Sequence, residues 1–231
     1  MKIYGKNVVR EALKNANKIK RIYLTNDFKD KEIIDLIRNN KVSYEIIDKK
    51  ALNAKNDKSQ GIMAIIDDYE YFNYKDMISD NIIIILDHLE DPHNFGAIIR
   101  TAEAAGIKSI IIPKDRSVEI TESVMRSSSG ALNHVKVSRV NNLVNTIDFF
   151  KDNGYFIYGA EADGKPYKSV DYSSKVVLVI GSEGNGLSRL VRNECDEIIS
   201  LPMNGKVNSL NASVAAGILI YDLISRWYFV L

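Results

Sequence analysis

Three aliphatic runs constrain the fold of this 231-residue chain more than any other feature of the sequence. They lie within residues 81–86, 109–112 and 176–180, and each leads into a polar or glycine-rich loop and then a helical pattern. Strands that are apolar on both faces are typical of a parallel sheet covered by helices on both sides. The alternation therefore predicts an α/β fold with a mostly parallel sheet that binds its ligands at the carboxyl ends of the strands.

The charges divide the chain into two unequal parts. Residues 1–66 carry 15 Lys and Arg against 8 Asp and Glu, whereas residues 67–231 carry 16 against 22. Helical and strand patterns alternate through the first part, so we predict a small α/β domain over 1–66, a linker over 67–80 and a larger body over 81–231. The basic domain suits a polyanion such as RNA, although a solvated lysine-rich surface explains the charge equally well.

The tyrosines of the linker have two possible roles. They would either stack on RNA bases or pin the linker to a neighbouring domain, and we favour the second.

Cysteine usage and the absence of several motifs exclude other classes of protein. The single cysteine, Cys195, excludes an internal disulfide and is expected to be a buried small residue. Because a zinc-site spacing, a membrane-length apolar run and a signal peptide are all missing, we expect a cytoplasmic protein without metal or membrane.

Three loops follow predicted strands and should meet at one edge of the sheet: residues 87–94, 181–187 and 202–211. The glycines of the second loop fall as G-x-x-G-x-G, which is not the dinucleotide fingerprint. The loop also lacks the lysine-serine ending of a phosphate loop. We therefore expect its backbone to approach an uncharged, flat ligand.

The first loop leads into a helix that carries an unusual arginine. We expect Asn94 to cap this helix, which would run over residues 95–105 and end at Gly106. Arg100 would project from the side opposite the apolar stripe. A solvated surface arginine, paired with Glu103, is the ordinary alternative. A second helix, small or apolar almost all round, is predicted to start near Ser209 and to be buried on several sides.

The three loops and their flanks resemble the three motifs of the SpoU-type RNA ribose 2'-O-methyltransferases, which belong to the SPOUT superfamily. The first is NFGAIIRTA at 94–102, the second is GSEGNGL at 181–187, and the third is LPM at 201–203 with VNSLNASVA at 207–215. The motifs occur in the family's order, and the resemblance covers roughly residues 81–228.

The N-terminal part carries a resemblance of its own. Residues 4–9 and 59–62 are similar to the substrate-binding domain of members that methylate a guanosine of 23S ribosomal RNA. The resemblance implies an L30e-like RNA-binding domain, S-adenosylmethionine as the methyl donor, and a deep trefoil knot at the C-terminal end of the sheet. It also implies a homodimer, with the last helix and the Asn94 helix near the partner.

Site residues follow from the same resemblance by position. It implies a polar catalytic site formed by Asn94, Arg100, Glu183, Ser209 and Asn211. It implies donor binding, largely through the backbone, at Gly181, Glu183, Gly184, Leu201 and Leu210.

The chemistry of the reaction suggests what these residues would do. A ribose hydroxyl is a weak nucleophile and needs a base or a cation that stabilises the alkoxide. A guanidinium, with a pKa above about 12, is a poor base, so we favour Arg100 as an anchor for phosphate or alkoxide. Glu183 and Asn94 would hold Arg100 in place. Ser209 and Asn211 would position the ribose or the donor, with helix capping as their alternative role.

We therefore expect S-adenosylmethionine-dependent methylation of a ribose 2'-hydroxyl in RNA, with a 23S ribosomal RNA guanosine favoured as the target. A transfer RNA ribose methyltransferase, a ribosomal RNA methyltransferase that confers antibiotic resistance, and an RNA-binding paralogue without activity remain alternatives. Residues 128–131 follow a weaker family segment, to which we assign no role.

Overall fold

The computed structural model describes residues 1–14, 19–52, 59–206 and 209–228. Its strands form two sheets, one in the N-terminal part of the chain and one in the rest. None of the helices in these described ranges is both long and apolar enough to cross a membrane.

The N-terminal sheet has four strands in the order β1-β4-β2-β3. The strands are β1 Lys2–Tyr4, β2 Ile19–Thr25, β3 Tyr44–Ile47 and β4 Ile62–Ile66, and the helices are α1 Lys6–Lys14 and α2 Lys31–Asn39. Strand β4 is antiparallel to β1 and β2, whereas β2 and β3 are parallel. We did not predict β1, because three residues are too few to show a strand period.

The helix predicted near residues 49–54 is in part a short 3-10 turn, Lys49–Leu52, and its last two residues lie outside the described part of the chain.

The larger sheet has six strands in the order β10-β8-β9-β5-β6-β7, and each described pair of neighbours is parallel. The strands are β5 Ile82–Asp87, β6 Ser109–Pro113, β7 Lys136–Val140, β8 Phe156–Pro166, β9 Val176–Gly181 and β10 Glu197–Ser200. The helices are α3 Pro92–Ala104, α4 Glu122–Ser127, α5 Leu143–Asp152, α6 Arg189–Glu194 and α7 Ala212–Tyr228. The prediction of a mostly parallel α/β sheet is confirmed.

Both faces of this sheet are covered, as the aliphatic runs predicted. In β5, Ile83 and Ile85 pack into a core with α5 and α6, whereas Ile84 and Leu86 pack into a core with α3, α4 and α7. Successive strand residues point to opposite faces, so a strand buried on both sides must be apolar throughout.

The segment over residues 67–80 is attached to the larger sheet by its tyrosines. The Tyr69 hydroxyl donates to the Val135 carbonyl (3.3 Å) and accepts from the Val137 N–H (3.0 Å). The Tyr71 hydroxyl accepts from the Ile120 N–H (2.9 Å). Burial raises the pKa of Tyr69 to about 12. These two rings therefore pin the segment, as we favoured, and their hydroxyls are occupied by backbone groups.

The turn at residues 128–131 joins the two parts of the chain. Gly130 has a φ of +94°, and a Cβ at this position would lie 2.6 Å from Cγ of Glu11 in α1. The His134 Nε2 lies 3.4 Å from a Glu11 carboxylate oxygen. Only glycine combines this φ with such a close approach, which gives the turn a packing role.

Candidate active site

A cavity of about 360 Å³ lies at the carboxyl ends of β9 and β10 and beside residues 160–162 in the middle of β8. The structure brings together at this cavity every residue predicted to bind the donor: Gly181, Glu183, Gly184, Leu201 and Leu210. Ser209, predicted as catalytic, also lines it. The second and third loops therefore meet in space, as the rule for the carboxyl ends of parallel strands predicted.

The walls of the cavity suit a particular kind of ligand. Ile180, Leu201 and Leu219 supply apolar surface, and Glu161 and Glu183 supply two carboxylates. Among the residues that the structure describes, neither lysine nor arginine lines the cavity. A polyphosphate would have no cation to pair with here. A ligand that combines a flat apolar ring with a positive charge could pack its ring on the apolar side chains and place its charge beside the two carboxylates.

The glycine-rich loop after β9 folds back on itself. The Ser182 N–H donates to the Gly186 carbonyl and the Gly186 N–H to the Ser182 carbonyl, both at 3.0 Å. A Cβ on Gly181 would lie 2.2 Å from the Gly186 carbonyl carbon, whereas one on Gly184 would meet nothing within 4 Å. Thus Gly181 is required by the fold of the loop itself, and Gly184 faces open space in the cavity wall.

Sequence reasoning did not select Glu161, which supports this loop. Its carboxylate accepts the Leu187 N–H at 2.6 Å, and it would lie 2.5 Å from a Cβ on Gly186, whose φ is +62°. Glu161 directly follows the run predicted as a strand over residues 155–160. The rule that selected the other loops would have identified it.

The position predicted for the start of α3 was wrong. The helix begins at Pro92, and its cap is Asp91, whose side chain accepts the His93 N–H at 2.8 Å. Proline is favoured in the first helical turn because its φ is already helical and its missing N–H needs no partner there. Asn94 therefore lies inside the first turn, 8% exposed, with its side chain free for other bonds.

The Asn94 amide joins the three loops. Its Nδ2 donates to Glu183 Oε1 at 2.5 Å, and its Oδ1 accepts from Asn211 Nδ2 at 3.0 Å. The Ser213 hydroxyl oxygen lies 3.2 Å from the same Oδ1 and 2.6 Å from Asn211 Oδ1. Because a hydroxyl has one hydrogen atom, Ser213 donates to only one of these two oxygens at a time. Ser213 belongs to the third motif, yet we assigned it no role.

Of the two roles considered for Asn211, the structure shows helix capping. Its Oδ1 caps α7 by accepting the Ser213 N–H (2.9 Å) and the Val214 N–H (3.3 Å), while its Nδ2 binds Asn94. The helix begins at Ala212, three residues later than predicted. Ser209 is exposed at the cavity and lies outside the helix. The motif residues at 207–208 lie outside the described part of the chain.

Arg100 is not held where we predicted. It is exposed on α3, six residues after Asn94, which places the two side chains about 120° apart around the helix axis. Within the described ranges, Arg100 has no hydrogen bond or ion pair, either with Glu183 and Asn94 or with Glu103. Asn94 and Glu183 bond each other instead.

Cys195 is half-buried rather than buried as we expected, and it packs against the core that includes α5 and α6. Its Sγ lies 3.3 Å from the Val191 carbonyl oxygen, and burial raises the pKa of the thiol to about 12. Over the described residues, there is no group of three or more His, Cys, Asp and Glu side chains that could hold a metal ion.

Comparison with known families identifies the family of this chain. Residues 81–221 match the sequence profile of the SpoU rRNA Methylase family, and residues 2–72 match that of the RNA 2'-O ribose methyltransferase substrate binding family. The chain belongs to the SpoU family of RNA methyltransferases. The resemblance that we drew from the three motifs is confirmed at the level of the family.

Relatives and solved structures agree with this assignment. A putative TrmH family tRNA/rRNA methyltransferase from Staphylococcus saprophyticus is 42% identical, over 97% of this chain and 95% of that protein. A putative RNA methyltransferase of the TrmH family from Porphyromonas gingivalis superposes with a TM-score of 0.77 at 25% identity, covering 96% of this chain and 88% of that one.

The SpoU methyltransferase AviRb from Streptomyces viridochromogenes, crystallised with AdoMet, superposes with a TM-score of 0.86. It is 21% identical, and the match covers 99% of this chain and 91% of that one. At this identity the likeness shows a shared SpoU fold.

Proposed function

We propose that this SpoU-family chain transfers a methyl group from S-adenosylmethionine to a ribose 2'-hydroxyl of RNA, with a guanosine of 23S ribosomal RNA as the preferred target. The observation that carries the proposal is the junction of Asn94, Glu183 and Asn211, which ties three distant motifs to the rim of one cavity. The match of residues 2–72 to a substrate-binding family of RNA 2'-O ribose methyltransferases supports the choice of substrate.

The cavity fits the proposed donor in size and charge. A volume of about 360 Å³ lies within the range of small-molecule sites, and its apolar walls suit an adenine ring. When bound, S-adenosylmethionine supplies an electrophilic methyl group on a positively charged sulfur. The carboxylates of Glu161 and Glu183 complement that charge. The backbone of Gly181, Gly184 and Leu210 is available to hydrogen-bond the donor.

The polar junction can orient the target hydroxyl. Asn94 fixes one oxygen of Glu183, while the other, Oε2, bonds none of the described residues and is free to accept the ribose hydroxyl. Asn211 acts through Asn94, because both ends of its amide are already bonded, and Ser209 is free to contact donor or ribose. Arg100 supplies the cation that stabilises the developing alkoxide.

An exposed stripe on α7 supports a homodimer. Val214, Ile218 and Tyr221 are 50%, 38% and 52% exposed, and their spacing places them on one helix face. A Cβ on Gly217 would lie 3.7 Å from the Thr101 side chain, so this face lies beside the helix that carries Arg100. We propose that two copies pair through this surface, and that each presents its Arg100 to the cavity of the other.

The homodimer predicts a specific effect of a charge in the stripe. Ile218→Asp is expected to convert the dimer to monomers, because an aspartate buried in an apolar interface loses its hydration without gaining a partner. Sedimentation velocity measures the change. The control is Ile46→Asp, at a residue 59% exposed on β3, which should leave the dimer intact. An Ile218→Asp protein that sediments like the wild type would contradict the interface.

Each part of the chain has its own role. Residues 1–66 form an L30e-like RNA-binding domain, 67–80 the linker, and 81–231 the catalytic domain with a deep trefoil knot. The route of the chain supports the knot: β10 lies at the sheet edge, yet α7 returns to pack against β9 and α3. An RNA substrate and the single cysteine support a cytoplasmic location.

Methyl transfer to defined RNAs tests the function. The protein is incubated with labelled S-adenosylmethionine and with unmodified transcripts of 23S ribosomal RNA and transfer RNA. We expect label in the 23S transcript, at a guanosine whose 3' linkage resists alkali because its 2'-hydroxyl is blocked. Label in transfer RNA would support the transfer RNA alternative. Calorimetric donor binding without label in either RNA would indicate a paralogue that has lost activity.

A further inference from the structure

A second cavity, of about 460 Å³, borders the same glycine-rich loop. Four residues line both this cavity and the proposed donor cavity: Ser182, Glu183, Gly184 and Gly186. Asn185 and Ser188 extend the wall formed by this loop. The other walls come from the end of β5 and the loop after it, with Asp87, His88 and Glu90, and from the loop after β6, with Arg116. A molecule in this second cavity would therefore be separated from the donor by one loop that carries Glu183.

The two outer loops are tied to each other and to the sheet. The Val118 N–H donates to the Leu89 carbonyl at 2.8 Å, which joins the loop of Arg116 to that of His88. Asp87 is fully buried, and its carboxylate accepts the Ser188 N–H at 2.6 Å and lies 2.5 Å from His88 Nδ1. The cavity is thus formed by backbone whose arrangement is set before any ligand binds.

Arg116 is the exposed cation of this cavity. Its backbone has a φ of +48°, which non-glycine residues seldom adopt, and its side chain forms no ion pair within the described ranges. The neighbouring Arg139, in contrast, binds Glu119 at 2.6 Å. An unpaired guanidinium is suited to phosphate, which it can bind with two parallel hydrogen bonds.

The carboxylates of the cavity restrict what can accompany that phosphate. Glu90 and Glu183 line it as well, so a second anionic group would be repelled. A nucleotide within RNA meets both conditions when one flanking phosphate binds Arg116 and the other stays outside the cavity, because its ribose and base are neutral and carry hydrogen-bond donors.

We propose that this second cavity receives the target nucleotide, and that Arg116 binds the phosphate next to the target ribose. The ribose then lies against the shared loop, within reach of Glu183 and of the donor beyond it. This inference rests on the proposed function, and it assigns the substrate's place within that function.

Steady-state methyl transfer to the labelled 23S transcript tests the inference. For Arg116→Ala we expect the KM for RNA to rise roughly 10- to 100-fold, as for the loss of one charge-assisted phosphate contact. The slope of log KM against log salt should fall by about one. We expect kcat and the dissociation constant of the donor, measured by calorimetry, to stay within about twofold. Arg116→Lys keeps the charge but loses the two parallel hydrogen bonds, so it should retain the wild-type salt slope and recover only part of the affinity.

The control is Lys108→Ala, which removes one exposed positive charge at the opposite end of β6 and should leave the KM for RNA unchanged. If Arg116→Ala behaves like this control, or weakens donor binding without changing the KM for RNA, the inference is wrong while the proposed function stands. If the wild-type protein labels neither RNA, the proposed function is wrong and the inference falls with it.

Discussion

Replacement of Arg100 by alanine is expected to lower kcat for methyl transfer roughly 100- to 1,000-fold, the usual cost of removing a group that stabilises a developing anion. The dissociation constant of S-adenosylmethionine should stay within about twofold, because Arg100 does not line the donor cavity. Single-turnover kinetics and calorimetry measure the two quantities. On the same helix, Glu103→Ala should change neither, and a large loss of donor binding in Arg100→Ala would make Arg100 a structural residue.

Mixed dimers decide which copy uses Arg100. Arg100→Ala and Glu183→Ala proteins, each inactive alone, are unfolded together, refolded and assayed. If Arg100 serves the partner's cavity, one of the two sites in each mixed dimer is intact. Random pairing makes about half of the dimers mixed, so about a quarter of wild-type activity returns. If Arg100 serves its own chain, both sites of the mixed dimer lack one group, and no activity returns. The exposed position of Arg100, far around α3 from Asn94, is the reason we expect recovery.

Gly181→Ala is expected to disrupt the donor site by displacing the glycine-rich loop. The new Cβ would lie 2.2 Å from backbone of Gly186, so the loop has to move, which should lower the free energy of unfolding by about 1–3 kcal/mol. Because the same loop carries Glu183, we expect kcat/KM for methyl transfer to fall roughly 100-fold, as for a misplacement of about 1 Å. Urea unfolding and initial rates measure these effects.

Gly184→Ala is the matched control for stability, since its Cβ would meet nothing within 4 Å. Its unfolding free energy should match that of the wild type to within about 0.5 kcal/mol. Equal stabilities of the Gly181→Ala, Gly184→Ala and wild-type proteins would show that the loop does not need glycine at position 181.

The errors in prediction have identifiable physical causes. The start of α3 was misplaced because Asn94 and Asp91 are both good caps, and Pro92 decides between them. Strand β8 was predicted to end near residue 160, but it continues to Pro166 because β10 pairs with it past a register shift at Ile198 and Ile199. A neighbouring strand therefore set the end of β8, whereas a local residue, Pro92, set the start of α3.

The sequence by itself determined the parallel sheet, the order of its loops and the family to which the chain belongs. These follow from local patterns: apolar runs, turn residues and motifs that each span at most 15 positions. The tertiary structure alone decided which polar groups bond each other. Asn94 meets Glu183 and Asn211 across 89 and 117 residues of chain, and it misses Arg100, six residues away. Hydrogen bonds require atoms about 3 Å apart in fixed directions, and only the packing of α3, α7 and the glycine-rich loop sets those directions.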